Sequence, residues 1–378
     1  MKKNILHIIY QTNIIWWVEN FLSAFLSFSK NNDLLVQVYN KKNNTGIKNR
    51  ILNLNEKLHS YNPIILLYQT FSRAIKYNNI CKKEKINISI SHWDSLNLSN
   101  ILSKIFFWNK SSIYIFLHNS LSFYKNKWSF IYKYLFNFLY PKADKIITIS
   151  EEMTLELKSR WYKNIHTLFN PIDLENIEKE KKEGLWNYKN IFNSDKKTFI
   201  TIWRLDKVKN IKFSIKTFDI FNKENPNFQF LIIWDWKERE SIQSIINKTN
   251  NKNIILIWRQ NNVYKFLNRS DYFLFSSLNE WFWRVLIETL ACWIPILTHD
   301  FKYGAKEIIR NNNDFTECKK LELHKNWILV PYLNEYIYIK WMELISKNKF
   351  DKSKIYNSIQ KYDVKKLSEK WKLILNNK

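Results

Sequence analysis

Residues Phe273–Arg310 read FLFSSLNEWFWRVLIETLACWIPILTHDFKYGAKEIIR. FLFSS (273–277) and PILTH (295–299) are short apolar runs, suited to parallel strands buried on both faces. Between them VLIETLAC (285–292) spaces its apolar positions three and four apart, as a compact helix does. The order is therefore strand, loop, helix, strand, loop, helix. Seven residues separate two acids, Glu280 in the loop and Glu288 on the helix. Acids at the C-terminal end of a parallel strand are where open α/β folds place ligand contacts. A solvated face also carries paired glutamates, so the spacing by itself leaves both readings open.

The whole string decides between them. It resembles the donor-binding core of retaining glycosyltransferases with the two-domain GT-B fold, the large family numbered four (glycosyl transferases group 1). Glu280, Glu288, Ala291, Ile294 and Pro295 stand where that family has its two acids, an Ala-rich helix end, a hydrophobic residue and proline. The departure is systematic: tryptophan stands where the family has glycine. Trp281 and Trp283 flank Phe282 in place of Glu-Gly-Phe-Gly, and Trp293 occupies the glycine of Cys-Gly-Ile-Pro.

The same exchange recurs along the chain. Trp16 and Trp17 fill a Gly-Gly loop, Trp203 precedes Arg204-Leu205, Trp234 and Trp236 flank Asp235, and Trp258 and Trp327 stand at two further glycine positions. Composition agrees without the family: seventeen tryptophans against three glycines, where glycine ordinarily makes up about 7% of residues. The rings fall directly after strands, where turns need small residues or positive φ. This is the pattern of a gene whose UGA codons mean glycine, written with tryptophan in their place. The alternative is a Trp-rich protein with aromatic platforms for sugars or bases.

The chain has 378 residues, enough for two α/β domains. Its 60 Lys and Arg against 34 Asp and Glu give a formal charge of +26. Such a balance favours polyanionic or diphosphate-bearing partners, although Lys, Asn and Ile abound together as an AT-rich genome would produce. Cys81, Cys292 and Cys318 show neither paired nor metal-ligand spacing and point to a reducing compartment. The N-terminal apolar run is broken by His7 and Gln11, and no run reaches membrane-spanning length. A cytoplasmic protein is expected, with the inner face of the plasma membrane as its other station.

In the N-terminal half ILHIIY, LLVQVYN, PIILLYQ, INISISH and SIYIFLHN read as strands, and VENFLSAFLSFSK as a helix after the first of them. Strand, tight loop, helix around Trp16 and Trp17 is a nucleotide-binding arrangement shared by many folds. His92 and His118 end two of the strands. The resemblance puts His118, followed by Asn119, on the transferred sugar, with a neutral imidazole bonding a hydroxyl. SFYKNKWSFIYKYLFNFLYPKAD is aromatic and basic together, with Phe130, Tyr134 and Phe138 as an apolar stripe beside Lys127 and Lys133. It reads either as a helix resting on anionic lipid or as one packed on the sheet. Asn170, Pro171 and Asp173 match the family's interdomain linker.

The C-terminal half opens with TFITIWRLDKVKN, a strand followed by Arg204 and Lys209. Two fixed cations at a strand end stabilise a departing diphosphate. Arg259 and Gln260 would edge the base. Gly304, Lys306 and Glu307 resemble a further segment of the family, and NWILVPY a further strand. YDVKKLSEKWKLILNN is a basic amphipathic helix.

The resemblance implies an α/β protein of the GT-B fold, two Rossmann-like parallel-sheet domains facing across a cleft. Residues 1–172 form the acceptor-side domain and 173–355 the nucleotide-sugar domain. Residues 356–378 form a helix crossing back to the first. His118, Glu280, Arg204 and Lys209 are the expected catalytic residues. Trp16, Trp17, Trp203, Arg204, Lys209, Arg259, Glu280, Trp281, Phe282, Trp283 and Glu288 are the expected donor contacts. The nucleotide-sugar is a substrate, so no cofactor and no metal is implied. The expected activity is retaining transfer of a hexose or N-acetylhexosamine, from a UDP-linked donor, to a glycan or lipid-linked acceptor in polysaccharide synthesis, with peripheral contact to an anionic membrane. The rivals are a basic nucleic-acid-binding protein and a non-catalytic relative. No nucleic-acid partner is expected, because the basic residues spread evenly and the key aromatics fall in turns.

Overall fold

The computed structural model describes the chain except residues 1, 11–21, 23–24, 27–28, 30, 40–48, 57–61, 122–128, 193–194, 205–208, 236–238, 279–283, 301–304, 311–313, 317, 321, 325–326, 332–333 and 377–378. Two compact units emerge, one of Met1–Pro171 with Val364–Lys378 and one of Ile172–Asp363. Each is built on a seven-stranded sheet.

The first sheet comprises β1 (Asn4–Ile9), β2 (Asn32–Gln37), β3 (Arg50–Asn53), β4 (Ile88–His92), β5 (Ser112–Leu117), β6 (Lys145–Thr148) and β7 (Ile165–Thr167), in the order β3-β2-β1-β4-β5-β6-β7. All its pairings are parallel. The central strands are buried almost end to end, which is why they read as continuous apolar runs rather than as alternation.

PIILLYQ is not a strand. It forms the first turns of the helix Pro63–Lys83. Asn62 caps it by accepting from the amides of Ile64 and Ile65, and Pro63 sits in the first turn, where its missing N–H costs nothing. Ile64, Leu67 and Tyr68 face outward, whereas Thr70, Arg73, Ala74, Tyr77 and Cys81 are buried at helical spacing. An apolar run that ends up exposed therefore masked a helix whose burial pattern begins one turn later.

The helix Val364–Asn376 packs within the first unit. Its Trp371 ring lies 5.7 Å from Phe25 and 6.2 Å from Phe116. Lys145, on β6, donates to the carbonyl of Ile374 at 2.6 Å, and Lys3 bonds that of Leu375. Both lysines serve carbonyls of the last turn, which have no partner within the helix.

The second sheet comprises β8 (Lys197–Arg204), β9 (Phe228–Asp235), β10 (Ile254–Trp258), β11 (Tyr272–Phe275), β12 (Ile296–His299), β13 (Glu322–His324) and β14 (Trp327–Val330), in the order β10-β9-β8-β11-β12-β14-β13. Among the described residues only the β13–β14 edge pair is antiparallel. Its core joins Phe199, Phe218, Phe230, Leu274, Leu297 and Ile328 to Tyr338 and Met342 of the helix Glu335–Lys347.

Among the described residues ten non-glycine residues have positive φ, and five are tryptophans: Trp93, Trp108, Trp161, Trp186 and Trp293. For an L residue such a conformation costs roughly 1–2 kcal/mol.

Candidate active site

In each sheet the order of the parallel strands reverses at one point, between β1 and β4 in the first and between β8 and β11 in the second. Connections leave in opposite directions at such a point, which opens a crevice at the C-terminal ends of the strands. Open α/β sheets bind ligands there.

In the second unit that crevice is bordered by the ends of β8 and β11. Trp203 and Arg204 close β8, their backbones paired with Trp234 and Asp235 of β9; their side chains lie outside the described residues. Lys209 is buried immediately ahead of the helix Ile211–Glu224. Ser276, the first residue after β11, donates to the carbonyl of Lys209 at 3.0 Å and to that of Asn210 at 3.2 Å, while Ser214 donates to Ser276 at 2.8 Å. These bonds tie the two sides of the reversal together. The 14-residue helix has no acid in its first turn and no side-chain cap. Its amides and Lys209 therefore make the end of β8 electropositive.

Glu288 projects from the helix Arg284–Ala291 that follows β11. Its Oε1 accepts from the Tyr264 hydroxyl and from Arg284 Nε, both at 3.3 Å. Burial, reinforced by the Glu288 carboxylate, holds the Tyr264 hydroxyl far above the usual phenol range, so it stays a donor. Arg284 and Glu288 stand four apart on one helix face, a pairing readable from spacing. Tyr264 carried no such signal, because its helix Tyr264–Leu267 lies on the other side of β11 in sequence.

Arg259 is exposed beyond β10, two strands out from β8. Gln260 bonds the Tyr188 hydroxyl and the Trp258 carbonyl. The structure thus places Arg259 at the rim and Lys209 and Glu288 at the reversal. Trp16, Trp17, Glu280, Trp281, Phe282 and Trp283 lie outside the described residues. Past β12, Lys306 pairs with Asp300 at 3.3 Å.

In the first unit His118 follows β5 and its Nε2 lies 3.1 Å from Nδ1 of His92, the last residue of β4. The rings stack on one another and on Phe116. Burial pushes His118 down to about 3 and His92 well below its usual value. Two neutral imidazoles can share one proton, one donating and one accepting. The structure makes His92, the last residue of β4, the partner of His118.

Residues 185–332, which hold the β8–β11 reversal, match the family of glycosyl transferases group 1.

Those residues form a glycosyl transferases group 1 region, and the protein is a glycosyltransferase.

This glycosyltransferase is 27% identical to an uncharacterized glycosyltransferase of Methanocaldococcus jannaschii, over 87% of this chain and 88% of that one. It is also 27% identical to the N-acetylgalactosamine-N,N'-diacetylbacillosaminyl-diphospho-undecaprenol 4-alpha-N-acetylgalactosaminyltransferase of Campylobacter jejuni, over 80% and 83%. The crystal structure of a glycosyltransferase from Rickettsia africae superposes with a TM-score of 0.78 over the full length of both chains at 16% identity, which establishes the shared GT-B fold. Among the described residues no helix is long and apolar enough to cross a membrane.

Proposed function

We propose that this glycosyltransferase works with retention, moving a hexose or N-acetylhexosamine from a UDP-linked donor to a glycan or lipid-linked acceptor in cell-surface polysaccharide synthesis. The observation that carries the reading is the juxtaposition at the β8–β11 reversal: a buried Lys209 at a helix N-terminus beside a strand end whose following helix holds Glu288. Cation and amides suit a diphosphate, and a fixed carboxylate suits vicinal hydroxyls.

In this reading Glu288 accepts from the ribose hydroxyls and Glu280 contacts the sugar ring. Arg204 and Lys209 neutralise the diphosphate as the bond from the anomeric carbon to its oxygen breaks. The acceptor oxygen attacks from the same face, and its proton passes to the departing phosphate oxygen. His118, neutral through burial, bonds a sugar hydroxyl in this reading and need not act as a base. The lipid-linked acceptor of the Campylobacter relative, named as diphospho-undecaprenol-linked, favours an acceptor at a membrane surface. The helix Ser129–Leu139, with Tyr134 and Phe138 exposed beside exposed Lys142, provides a face for anionic lipid.

The test is hydrolysis of UDP-, GDP- and ADP-sugars without acceptor, by the chain made with glycine at positions 16, 17, 203, 281 and 283, with Glu288→Ala beside it. Turnover of a UDP-sugar that disappears in the variant supports the reading. A GDP- or ADP-sugar preference overturns the choice of donor. Turnover that survives in Glu288→Ala overturns the site.

A further inference from the structure

We propose that the protein as its own cell makes it carries glycine at positions 93, 108, 161, 186 and 293, and tryptophan at 341 and 371. Composition alone treats the seventeen tryptophans as one population. The backbone separates seven of them into two groups.

Positions 161 and 293 close helices in Schellman geometry. At the first, the amide of Trp161 reaches the carbonyl of Lys158 at 3.0 Å and that of Tyr162 reaches Leu157 at 3.2 Å. At the second, Trp293 reaches Leu290 at 2.9 Å and Ile294 reaches Thr289 at 3.3 Å. In both, the tryptophan is the left-handed residue, with φ of 64° and 63°. This is the position glycine fills in proteins generally, because it has no Cβ to meet the following carbonyl. Trp108 ends the helix Asp94–Phe107 in the same conformation, φ 53° and ψ 43°. Trp186 has φ 43°. Trp93, with φ 88° and ψ 144°, borders a region that glycine almost alone occupies.

Packing does not explain the conformation of Trp108, Trp161 or Trp186; Trp93 packs on the core of the first unit, and the Lys181 ammonium lies 3.5 Å from the Trp293 ring centroid. Trp108, Trp161 and Trp186 are 78%, 90% and 78% exposed, so their rings gain little from burial. The Trp293 indole N–H is buried without a hydrogen-bond partner among the described residues. Four of the other five positive-φ residues are asparagines, the ordinary non-glycine occupants of that region. Tryptophan has no comparable tolerance.

Trp341 and Trp371 differ in every respect. Both lie inside helices, Glu335–Lys347 and Val364–Asn376, and both are buried. Trp371 packs on Phe25 and Phe116, and Trp341 belongs to the core of the second unit. Glycine at either would weaken a helix and leave a cavity.

Position 93 gives the inference a consequence that rests on the function proposed above. The Trp93 ring lies 5.4 Å from that of His118. Glycine there removes an indole from the imidazole that is to meet the sugar.

The experiment is peptide mass spectrometry of the protein purified from the cells that make it, read beside the codons of its gene. Glycine at all five positions, from UGA codons, with tryptophan from UGG at 341 and 371, is expected. Tryptophan at any of the five, or glycine at 341 or 371, overturns the assignment. A second readout uses the recombinant chain as written here: Trp161→Gly and Trp108→Gly should each raise Tm by about 2–4 °C, and Trp371→Gly should lower it. A fall in Tm with Trp161→Gly overturns the backbone argument. Neither readout depends on catalysis, so failure of the proposed function would leave both standing.

Discussion

The Tyr264 hydroxyl and the Arg284 guanidinium converge on the same oxygen, Oε1 of Glu288, each at 3.3 Å. One carboxylate oxygen is thereby fixed from two sides, and the orientation of the other follows from the rigid plane of the group. A carboxylate held in this way can receive two vicinal hydroxyls without first surrendering rotational freedom.

Removing the charge should therefore cost more than removing one of its supports. Glu288→Gln is expected to lower kcat/KM for the donor by about a hundredfold, as the loss of two charge-assisted bonds would. Tyr264→Phe should cost roughly tenfold, mainly in KM. Equal effects of the two variants in steady-state kinetics would contradict a positioning role for Tyr264.

Lys209 makes a second prediction. In the proposed function the buried ammonium at the start of the helix Ile211–Glu224 would act most strongly when charge develops on the leaving diphosphate. Lys209→Ala should lower kcat by roughly 10²–10³-fold, and Lys209→Arg should not restore it, because a planar guanidinium does not replace a compact buried ammonium. Ser276→Ala, which releases the carbonyls of Lys209 and Asn210, should give a smaller loss of the same kind. Unchanged kcat in Lys209→Ala would remove the lysine from the mechanism.

Both sheets, and with them the strand ends that border the β8–β11 reversal, were legible in the sequence because parallel strands buried on two faces are written as unbroken apolar runs. PIILLYQ had the same composition for a different reason. Its apolar residues are turned outward on a helix, and only the Asn62-Pro63 start signal distinguished it. Lys209 and Glu288 were readable because each sits a fixed distance past a strand. Tyr264 and His92 were not, since each meets its partner only through strand pairing or helix docking that brings distant segments together. Trp93, Trp108, Trp161 and Trp186 carried no visible signature either: a backbone torsion has no letter in the sequence.

Acid should destabilise the second unit through His299. Burial pushes this histidine down to about 4, below its unfolded value near 6.5. The folded state therefore binds fewer protons than the unfolded state between those values. The stability this contributes is present above about pH 6.5 and is lost as pH falls toward 4. Urea midpoints of the protein should drop across that window. His299→Gln, unable to titrate, should flatten the decline by on the order of 2–3 kcal/mol. A variant whose midpoint falls as steeply as the parent's would place the acid sensitivity elsewhere.

The last prediction concerns the membrane. On the helix Ser129–Leu139, Tyr134 and Phe138 are 71% and 67% exposed, while Phe136 between them is buried. The buried ring anchors the helix to its unit, leaving the two outer rings to meet another phase. With a chain charge of +26, a surface bearing negative headgroups is the phase that attracts both features at once. Sedimentation with phosphatidylglycerol vesicles should retain the protein, and neutral phosphatidylcholine vesicles should retain much less. Tyr134→Ser combined with Phe138→Ser should weaken binding about tenfold, equivalent to about 1.4 kcal/mol. Raised salt should weaken binding further without abolishing the difference between parent and variant, because the aromatic contribution is not screened. Donor hydrolysis by the double variant should match the parent's, since neither ring is among the residues proposed to contact the donor. If parent and variant sediment alike at every salt concentration, these rings do not touch lipid, and the charge alone accounts for whatever attachment is seen.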